Sequence, residues 1–352
     1  MKKTSEETKR VEVLDLYNNQ APILNYKNVT LVRYGALTRK MLEALDKEDA
    51  LVVITISPME VHGNFLPLAT DYLGGYYLIQ VIRDLLTEKR QDKHYTIVDV
   101  PGLPIGTGSL RGVAGTLDIG HRTFRNCVID YLDGLCRAGF KRFFLSSAHH
   151  GLSHAYALEE AASTIMKRFE GVRVATPVHW MAKTLYLDDP ETTWTNIVQK
   201  FGQKPLSEQE MAALHADHHS AIMEICLIKK AAPNLVDSEE YKTSEPHIDG
   251  IGHQLKGMFS RRYCHHFGYE YNGMPAFADS RDWTPLFVNL IGGLCLEFVD
   301  ALYADDVKAF DHFRYSHIWQ FKFLKTNFKL YFIYPLILLL IVIPWILYFL
   351  AL

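Results

Sequence analysis

The stretch MEVHGNFLPLATD, residues 59–71, contains three side chains that commonly bind divalent metal ions. Glu60 and His62 are two residues apart, which is strand spacing and directs both side chains to the same side. Asp71 follows after a loop that is able to fold back on this pair. A polar turn after a strand would contain the same residues, so the stretch alone leaves a turn and a metal site open.

Elements that would position these residues are visible in the pattern of apolar runs. Strands are predicted at 50–57, 95–105, 142–148 and 172–180, and helical patterns lie between them and again near 284–305. This alternation predicts a parallel sheet with helices on both faces. Functional groups in such sheets lie at the carboxyl ends of the strands.

Further candidate ligands follow the later strands. AHHG at 148–151 offers His149 or His150, and the stretch HADHHSAIME contributes His215, Asp217, His218, His219 and Glu224. All candidates are expected at strand ends or in the loops after them. Nitrogen and oxygen ligands without a thiolate suit Zn²⁺ or Mn²⁺, and this many ligands would hold two ions with one bridging carboxylate. Taken singly, each histidine is better explained as a surface or core residue than as a ligand, and only their shared placement at strand ends favours a metal site.

Composition excludes several classes of protein. The chain has 352 residues and a net charge of −3, which does not indicate a nucleic-acid-binding surface. Its five cysteines form no CxxC pair, which favours a reducing compartment over a disulfide framework or a structural zinc site. The first residues lack the apolar core of a secretory signal.

The C-terminal stretch 330–352 has no charged residue. About 20 apolar residues suffice to cross a bilayer, so this stretch predicts a single transmembrane helix. The preceding residues 312–329 mix basic and aromatic side chains, which favours a position at lipid headgroups on the cytoplasmic side. We therefore expect a tail-anchored membrane protein with its catalytic domain in the cytoplasm. The alternative is that the stretch packs in a hydrophobic groove between subunits.

The metal motifs resemble those of the creatininase (creatinine amidohydrolase) family. MEVHGNFLPLATD is similar to the family pattern E-x-H-G-P-H-L-P-L-x-T-D, and Glu60, His62 and Asp71 fall on its ligand positions. SAHHGL resembles N-G-H-G-G-N and selects His149, while HSAIMEICLIKKAAPNLVD resembles H-A-G-E-x-E-T-S…P-E-L-V-D and selects His219 and Glu224. Gly115-Thr116 and NGMPAFADS match two further elements in family order.

The resemblance implies a three-layer α/β/α sandwich with a mainly parallel sheet, and a metal-dependent amidohydrolase acting on a small cyclic or linear amide. It also implies two divalent ions, zinc and/or manganese, and a homo-oligomer. The implied metal ligands are Asp71 as the bridge, Glu60 and His149 at one ion, and His62 and Glu224 at the other. His219 would be the catalytic residue that passes a proton to the leaving nitrogen. If the register at Glu224 were wrong, Asp217 or His219 would replace it.

Departures from the family pattern keep other functions open. Ser147 and Ala148 replace Asn and Gly before the second histidine, and LRG at 110–112 stands where the family has an acidic residue and a histidine. A catalytically inactive binding protein at the membrane is therefore an alternative. A metal-dependent phosphoesterase is another, although only Arg111 lies near a motif as a phosphate ligand. The expected domains are a metallohydrolase domain at 1–305, a juxtamembrane segment at 306–329 and the membrane anchor at 330–352.

Overall fold

Six strands form one sheet in the computed structural model, which describes residues 21–187, 189–248, 270–305, 310 and 334–351. The strands are β1 (Ile23–Tyr26), β2 (Val29–Arg33), β3 (Leu51–Ile56), β4 (Tyr95–Leu103), β5 (Arg142–Ser146) and β6 (Arg173–Ala175). Their order across the sheet is β1-β2-β4-β3-β5-β6. β1 pairs antiparallel with β2, and the other neighbouring pairs are parallel.

Helices cover both faces of this sheet. They are α1 (Arg39–Glu43), α2 (Thr70–Lys89), α3 (His121–Arg137), α4 (Leu152–Arg168), α5 (Val178–Ala182), α6 (Pro190–Lys200), α7 (Glu208–His215), α8 (Ile222–Ala231), α9 (Ser238–Thr243), α10 (Thr284–Tyr303) and α11 (Tyr334–Ala351). Apolar residues of α2, α8 and α10 share one core with one face of the sheet, while those of α3 and α4 share a second core with the other face. The predicted three-layer sandwich with a mainly parallel sheet is thus confirmed.

The central strand β3 has the sequence LVVITI, which is apolar at every position except Thr55. It lies between β4 and β5, and all its residues are buried. Leu51 and Val53 belong to one core, whereas Val52 and Ile54 belong to the other. A strand that is covered on both faces has a nearly continuous run of apolar residues, which explains this sequence.

Two features of the sheet differ from the sequence prediction. The predicted strand 172–180 ends at Ala175, because Pro177 caps the short helix α5 with helical backbone angles and cannot donate a ladder hydrogen bond. The hairpin of β1 and β2 was not predicted. β1 is the antiparallel edge strand of the sheet and alternates between exposed and half-buried positions, so it carries little hydrophobic signal.

Two apolar helices lie towards the C-terminal end. α10 is long and apolar enough to cross a membrane by length and composition, but 61% of its most apolar window is buried in the fold. Gly292 of α10 lies against Val81 and Leu85 of α2, so α10 is a core helix. α11 falls within the predicted anchor, contains no charged residue, and exposes its described apolar side chains from Leu336 to Ile343. The expected juxtamembrane stretch 312–329 lies outside the described residues.

Asp99 of β4 provides a pH test of the sheet. Its side chain is 5% exposed and accepts a hydrogen bond from the Tyr76 hydroxyl (3.2 Å). Burial raises the pKa of Asp99 to about 6, although Tyr76 and Arg33 oppose the rise. An unfolded aspartate has a pKa of about 3.9, so the folded state binds more protons between about pH 4 and 6. This group therefore lowers the stability of the fold as the pH rises through that window.

We expect Asp99→Asn to remove this loss of stability, because the amide still accepts the Tyr76 hydrogen bond without a charge. The variant should be more stable than the wild type at pH 7.5 by roughly 1–3 kcal/mol and nearly equal to it at pH 4. Urea unfolding at both pH values measures the difference, with the exposed Asp92→Asn as a control for loss of one charge. A variant that is less stable than the wild type at pH 7.5 would show that Arg33, and not burial, dominates.

Candidate metal centre

The loops after β3 and β5 meet at the carboxyl edge of the sheet because these strands are parallel neighbours. Glu60 and His62 follow β3, and His149 follows β5. Asp71 lies in the first turn of α2, and Glu224 lies in the first turn of α8. The expectation that every candidate lies at a strand end or in the loop after it is therefore wrong for Asp71 and Glu224, which helices carry to the same edge.

Asp71 lies at the centre of the cluster. Its Oδ1 is 3.4 Å from Nε2 of His62, and its Oδ2 is 3.2 Å from Nδ1 of His149. The two carboxylate oxygens thus face different imidazoles, which is the arrangement expected of a bridging carboxylate.

Each imidazole also faces a second carboxylate. Glu60 Oε2 is 3.0 Å from Nδ1 of His149, and Glu224 Oε2 is 3.5 Å from Nε2 of His62. Two groups of potential ligands result, Glu60–Asp71–His149 and His62–Asp71–Glu224, and within each the ligand atoms lie within 4.8 Å of one another. The structure thus brings together all five predicted ligand residues, in the two predicted sets.

The cluster is buried and strongly charged. Its three carboxylates and two imidazoles are each 7% exposed or less. Burial lowers the pKa of His62, but Asp71 and Glu224 outweigh it and the pKa lies well above its ordinary value. Burial likewise opposes charge on His149, yet Glu60 and Asp71 raise its pKa to about 10. Burial raises the pKa of Asp71, while the two imidazoles outweigh this effect and hold it well below the usual range.

The residues fit divalent metal ions. Glu60 Oε2, His62 Nε2 and Asp71 Oδ2 are buried, and none of them makes a hydrogen bond of good geometry with the described residues. Ligand atoms about 2.0–2.2 Å from one tetrahedral ion are about 3.3–3.6 Å apart, close to the separations of 3.0–3.5 Å in the cluster. Carboxylate oxygens and imidazole nitrogens suit zinc and manganese. A buried site with three carboxylates also favours bound cations electrostatically.

Backbone contacts fix the orientation of the imidazole of His62. Its Nδ1 lies 3.0 Å from the carbonyl oxygen of Glu60 and must donate, because a carbonyl only accepts. Nε2 is then the unprotonated nitrogen of the neutral ring and faces Asp71 and Glu224. Glu224 is oriented in the same way, since its Oε2 accepts a hydrogen bond from the Ser220 N–H (2.5 Å).

His219, the predicted catalytic residue, lies beside this group. Its Nε2 donates to the Val61 carbonyl oxygen at 3.0 Å, which leaves Nδ1 as the unprotonated nitrogen of the neutral ring. Its ring centroid is 4.4 Å from that of His62, and it forms a third potential ligand group with Glu60 and His62. Two backbone hydrogen bonds with Asn272 hold the residue in place.

Other candidates from the sequence have different positions. Asp217 is buried, but its Oδ2 accepts the Met223 N–H and so helps to cap α8; burial raises its pKa to about 8. His215 is exposed in the last turn of α7. Neither these residues nor His150 and His218 belong to the three ligand groups found among the described residues. Glu224, and not Asp217, therefore completes the cluster.

Several groups around the site gave no signal in the sequence. The Leu110 and Ser220 N–H groups and the Asn272 backbone contact site residues, but every residue type carries these groups. Ser220 has a positive φ of 53°, which turns its N–H towards Glu224. Only the fold shows which backbone donors face the cluster.

Comparison with known proteins agrees with this fold. The family model of creatininase, described as creatinine amidohydrolase, matches residues 35–280, and the chain therefore belongs to the creatininase family. One similar solved structure is a creatinine amidohydrolase (creatininase), with a TM-score of 0.50, 17% identity, and coverage of 76% of this chain and 97% of that chain. A manganese form of creatininase gives a TM-score of 0.51, 16% identity, and coverage of 76% and 98%. No curated protein matches the chain significantly.

Gly151 provides a test of the geometry at His149. A β-carbon at this position would collide with Nε2 of His149 and lie 3.1 Å from the Gly108 carbonyl oxygen. We expect Gly151→Ala to displace His149 and to weaken divalent-metal binding. The loss should be roughly 10–100-fold, which is typical when a metal ligand is no longer held in its orientation. Titration with Mn²⁺ measures the effect. Gly134→Ala is the matched control, since no atom lies within 4 Å of its added β-carbon. Equal affinities in both variants would contradict the assignment of His149.

Proposed function

We propose that this protein is a dinuclear metal-dependent amidohydrolase that cleaves the C–N bond of a small cyclic or linear amide. The single observation that carries the proposal is the shared position of Asp71 between two sets of ligands. Membership of the creatininase family supports the same class of reaction.

Five residues would hold the two ions, with Asp71 as the bridge. Glu60 and His149 would complete one set, and His62 and Glu224 the other. Bound zinc or manganese ions would supply Lewis-acid activation of water and of the amide carbonyl. The manganese form among the similar structures supports the choice of metals.

His219 would act as the general base and general acid in this reaction. Its Nε2–H is held by the Val61 carbonyl oxygen, so Nδ1 is the nitrogen that can accept a proton and return it to the leaving amine nitrogen. The hydrogen bond to Val61 and the contact with His62 restrict rotation of the ring. A proton carrier in a fixed orientation needs no rearrangement between accepting and donating.

The two alternative functions have less support. A phosphoesterase needs cations for the phosphate, but Nε of Arg111 donates to Asp118 and the guanidinium is paired with that carboxylate. An inactive binding protein would not require all five ligands to be retained at ligand distances. The altered residues around His149 keep the second alternative as an outcome of the experiment.

Metal content and turnover test the proposal together. Wild-type protein should bind two Zn²⁺ or Mn²⁺ ions per chain and hydrolyse a member of a panel of cyclic and linear amides. Asp71→Ala should lose both ions, because the carboxylate serves both sets. His219→Ala should keep both ions and slow turnover roughly 10²–10⁴-fold.

His215→Ala is the matched control, since this histidine is exposed on α7 and should change neither property. If His219→Ala loses metal, His219 is a ligand and its catalytic role is wrong. Two bound ions without hydrolysis of any amide would favour the binding protein.

The C-terminal helix supports a position at a membrane. We propose three parts: the metallohydrolase domain at 1–305, a juxtamembrane segment at 306–329 and a single-pass anchor at 330–352, with the catalytic domain in the cytoplasm. The described side chains of α11 are apolar and exposed. Burial of apolar surface is worth about 25 cal/mol per Å², so a bilayer or a partner chain should cover this helix. A homo-oligomer is compatible with the anchor if all its helices reach one membrane.

Removal of residues 330–352 should release a soluble protein that still binds metal, because the ligands and both cores lie outside this stretch. Flotation with liposomes measures membrane association of the full-length and shortened proteins. Leu339→Arg tests the same membrane association with a point variant. An arginine at the centre of a transmembrane helix raises the free energy of membrane insertion by about 2.5–3.5 kcal/mol. Full-length protein that remains soluble without detergent as a discrete oligomer would instead place the helix between subunits.

A further inference from the structure

The loop 106–119 is attached to the chain on both sides of Glu60. The Leu117 N–H donates to the Met59 carbonyl oxygen (2.8 Å), and the Val61 N–H donates to Oγ1 of Thr116 (3.2 Å). The loop closes on itself through a hydrogen bond from Ile119 N–H to the Gly106 carbonyl oxygen (2.8 Å). Its backbone is therefore held close to the carboxylate of Glu60.

One backbone donor of this loop contacts that carboxylate directly. The Leu110 N–H donates to Oε1 of Glu60 at 2.5 Å, while Oε2 lies 3.0 Å from Nδ1 of His149. Among the described residues, no hydrogen bond of good geometry reaches Oε2. The loop thus occupies one oxygen of Glu60 and leaves the other for the metal centre, so Glu60 offers a single ligand atom.

Asp118 holds the two neighbours of Leu110. Its side chain is 3% exposed; Oδ1 accepts the Ser109 N–H (3.2 Å), and Oδ2 accepts Nε–H of Arg111 (2.5 Å). A second nitrogen of the guanidinium also pairs with Oδ2. Because Ser109 and Arg111 flank Leu110, these bonds restrict the peptide plane that carries the Leu110 N–H.

We infer that Asp118 is a positioning residue for Glu60, acting through the Leu110 N–H to fix which oxygen of Glu60 faces the metal centre. Asp118 belongs to none of the three ligand groups found among the described residues, and its side-chain contacts are with the Ser109 N–H and Arg111. Arg111 neutralises the buried carboxylate of Asp118. Its ion pair also ties residue 111 of the loop to residue 118. Since the inference concerns a ligand of the proposed ions, it rests on the proposed function.

A purely structural ion pair is the competing explanation of Arg111 and Asp118. Such a pair would change the stability of the fold when removed, but it would not act selectively on Glu60. A positioning role predicts two further effects: faster hydrogen exchange of the Leu110 N–H, and weaker metal binding at the Glu60–His149 set than at the His62–Glu224 set. These effects separate the two explanations.

Hydrogen exchange of the metal-free protein tests the first effect. In Asp118→Asn, peptides covering 106–119 should exchange roughly tenfold faster at Leu110, because the hydrogen bond to Glu60 opens more often. Glu60→Gln should give a similar increase by weakening the acceptor. Asp133→Asn is the matched control: this carboxylate also accepts from two arginines, Arg137 and Arg168, but lies on α3 away from the loop.

Titration with Mn²⁺ tests the second effect in the same variants. Asp118→Asn should weaken the affinity of one of the two binding steps roughly 10–100-fold and leave the other nearly unchanged. Loss of a residue that orients a metal ligand typically reduces metal affinity by this factor. Arg111→Gln keeps the bond from Ser109 to Asp118, so it should give a smaller loss at the same step. Asp133→Asn should bind both ions as the wild type does.

The outcomes distinguish the inference from the proposed function. Two ions bound by the wild type, with unchanged exchange and affinity in Asp118→Asn, would overturn the positioning role alone. Wild-type protein that binds no ion would overturn the proposed function and, with it, the role of Glu60 as a ligand. If Asp118→Asn does not fold, Arg111→Gln decides through the same two measurements.

Discussion

The buried carboxylate of Asp71 is the constraint on which the rest of the site depends. It is 1% exposed, and removal of a carboxylate from water costs several kcal/mol unless cations or hydrogen bonds compensate. His62 and His149 provide that compensation in the protein alone. The start of α2 adds to it, because Asp71 lies in the first turn, where the helix dipole favours negative charge.

The packing of α2 allows this carboxylate to reach the loop after β5. Gly74 and Gly75 follow Asp71 on the helix, and a β-carbon at Gly74 would lie only 2.9 Å from that of Ala148. At Gly75, it would lie 3.0 Å from the side chain of Thr55 on β3. The absence of two side chains therefore lets the helix approach the strand ends that carry Glu60, His62 and His149.

Ser147, which differs from the family pattern, takes part in a local hydrogen-bond network beside His149. The His149 N–H donates to Oγ of Ser147 (3.2 Å), and this hydroxyl lies 2.8 Å from Oγ of Ser57 and 3.3 Å from Nε2 of His154. The backbone of His149 is thus supported by two hydroxyl groups that directly follow β3 and β5. Ser147 contacts the backbone of His149 and not its imidazole, so this departure from the family pattern leaves the candidate ligand atom unchanged.

Much of the fold followed from the sequence. The continuous apolar run of β3 and the helical patterns of α2, α3, α4 and α10 specify elements whose type depends mainly on local spacing. The motif around Glu60, His62 and Asp71 also has a fixed register, so its resemblance selected three candidate ligands residue by residue. At β6, by contrast, the apolar stretch in the sequence runs beyond the end of the strand. The strand ends near Pro177, and hydrophobicity alone does not mark that end.

The sequence by itself determined the class of fold, the family and four candidate ligands, Glu60, His62, Asp71 and His149, because their motifs have residue types at short, fixed spacings. It left the fifth candidate open between Glu224, Asp217 and His219. Only the tertiary structure decided that α8 brings Glu224 to His62, and that Asp217 caps that helix instead. It also decided that a backbone N–H from Leu110 occupies one oxygen of Glu60. Such contacts join residues far apart in the chain through backbone groups common to all residue types, so no local pattern can encode them.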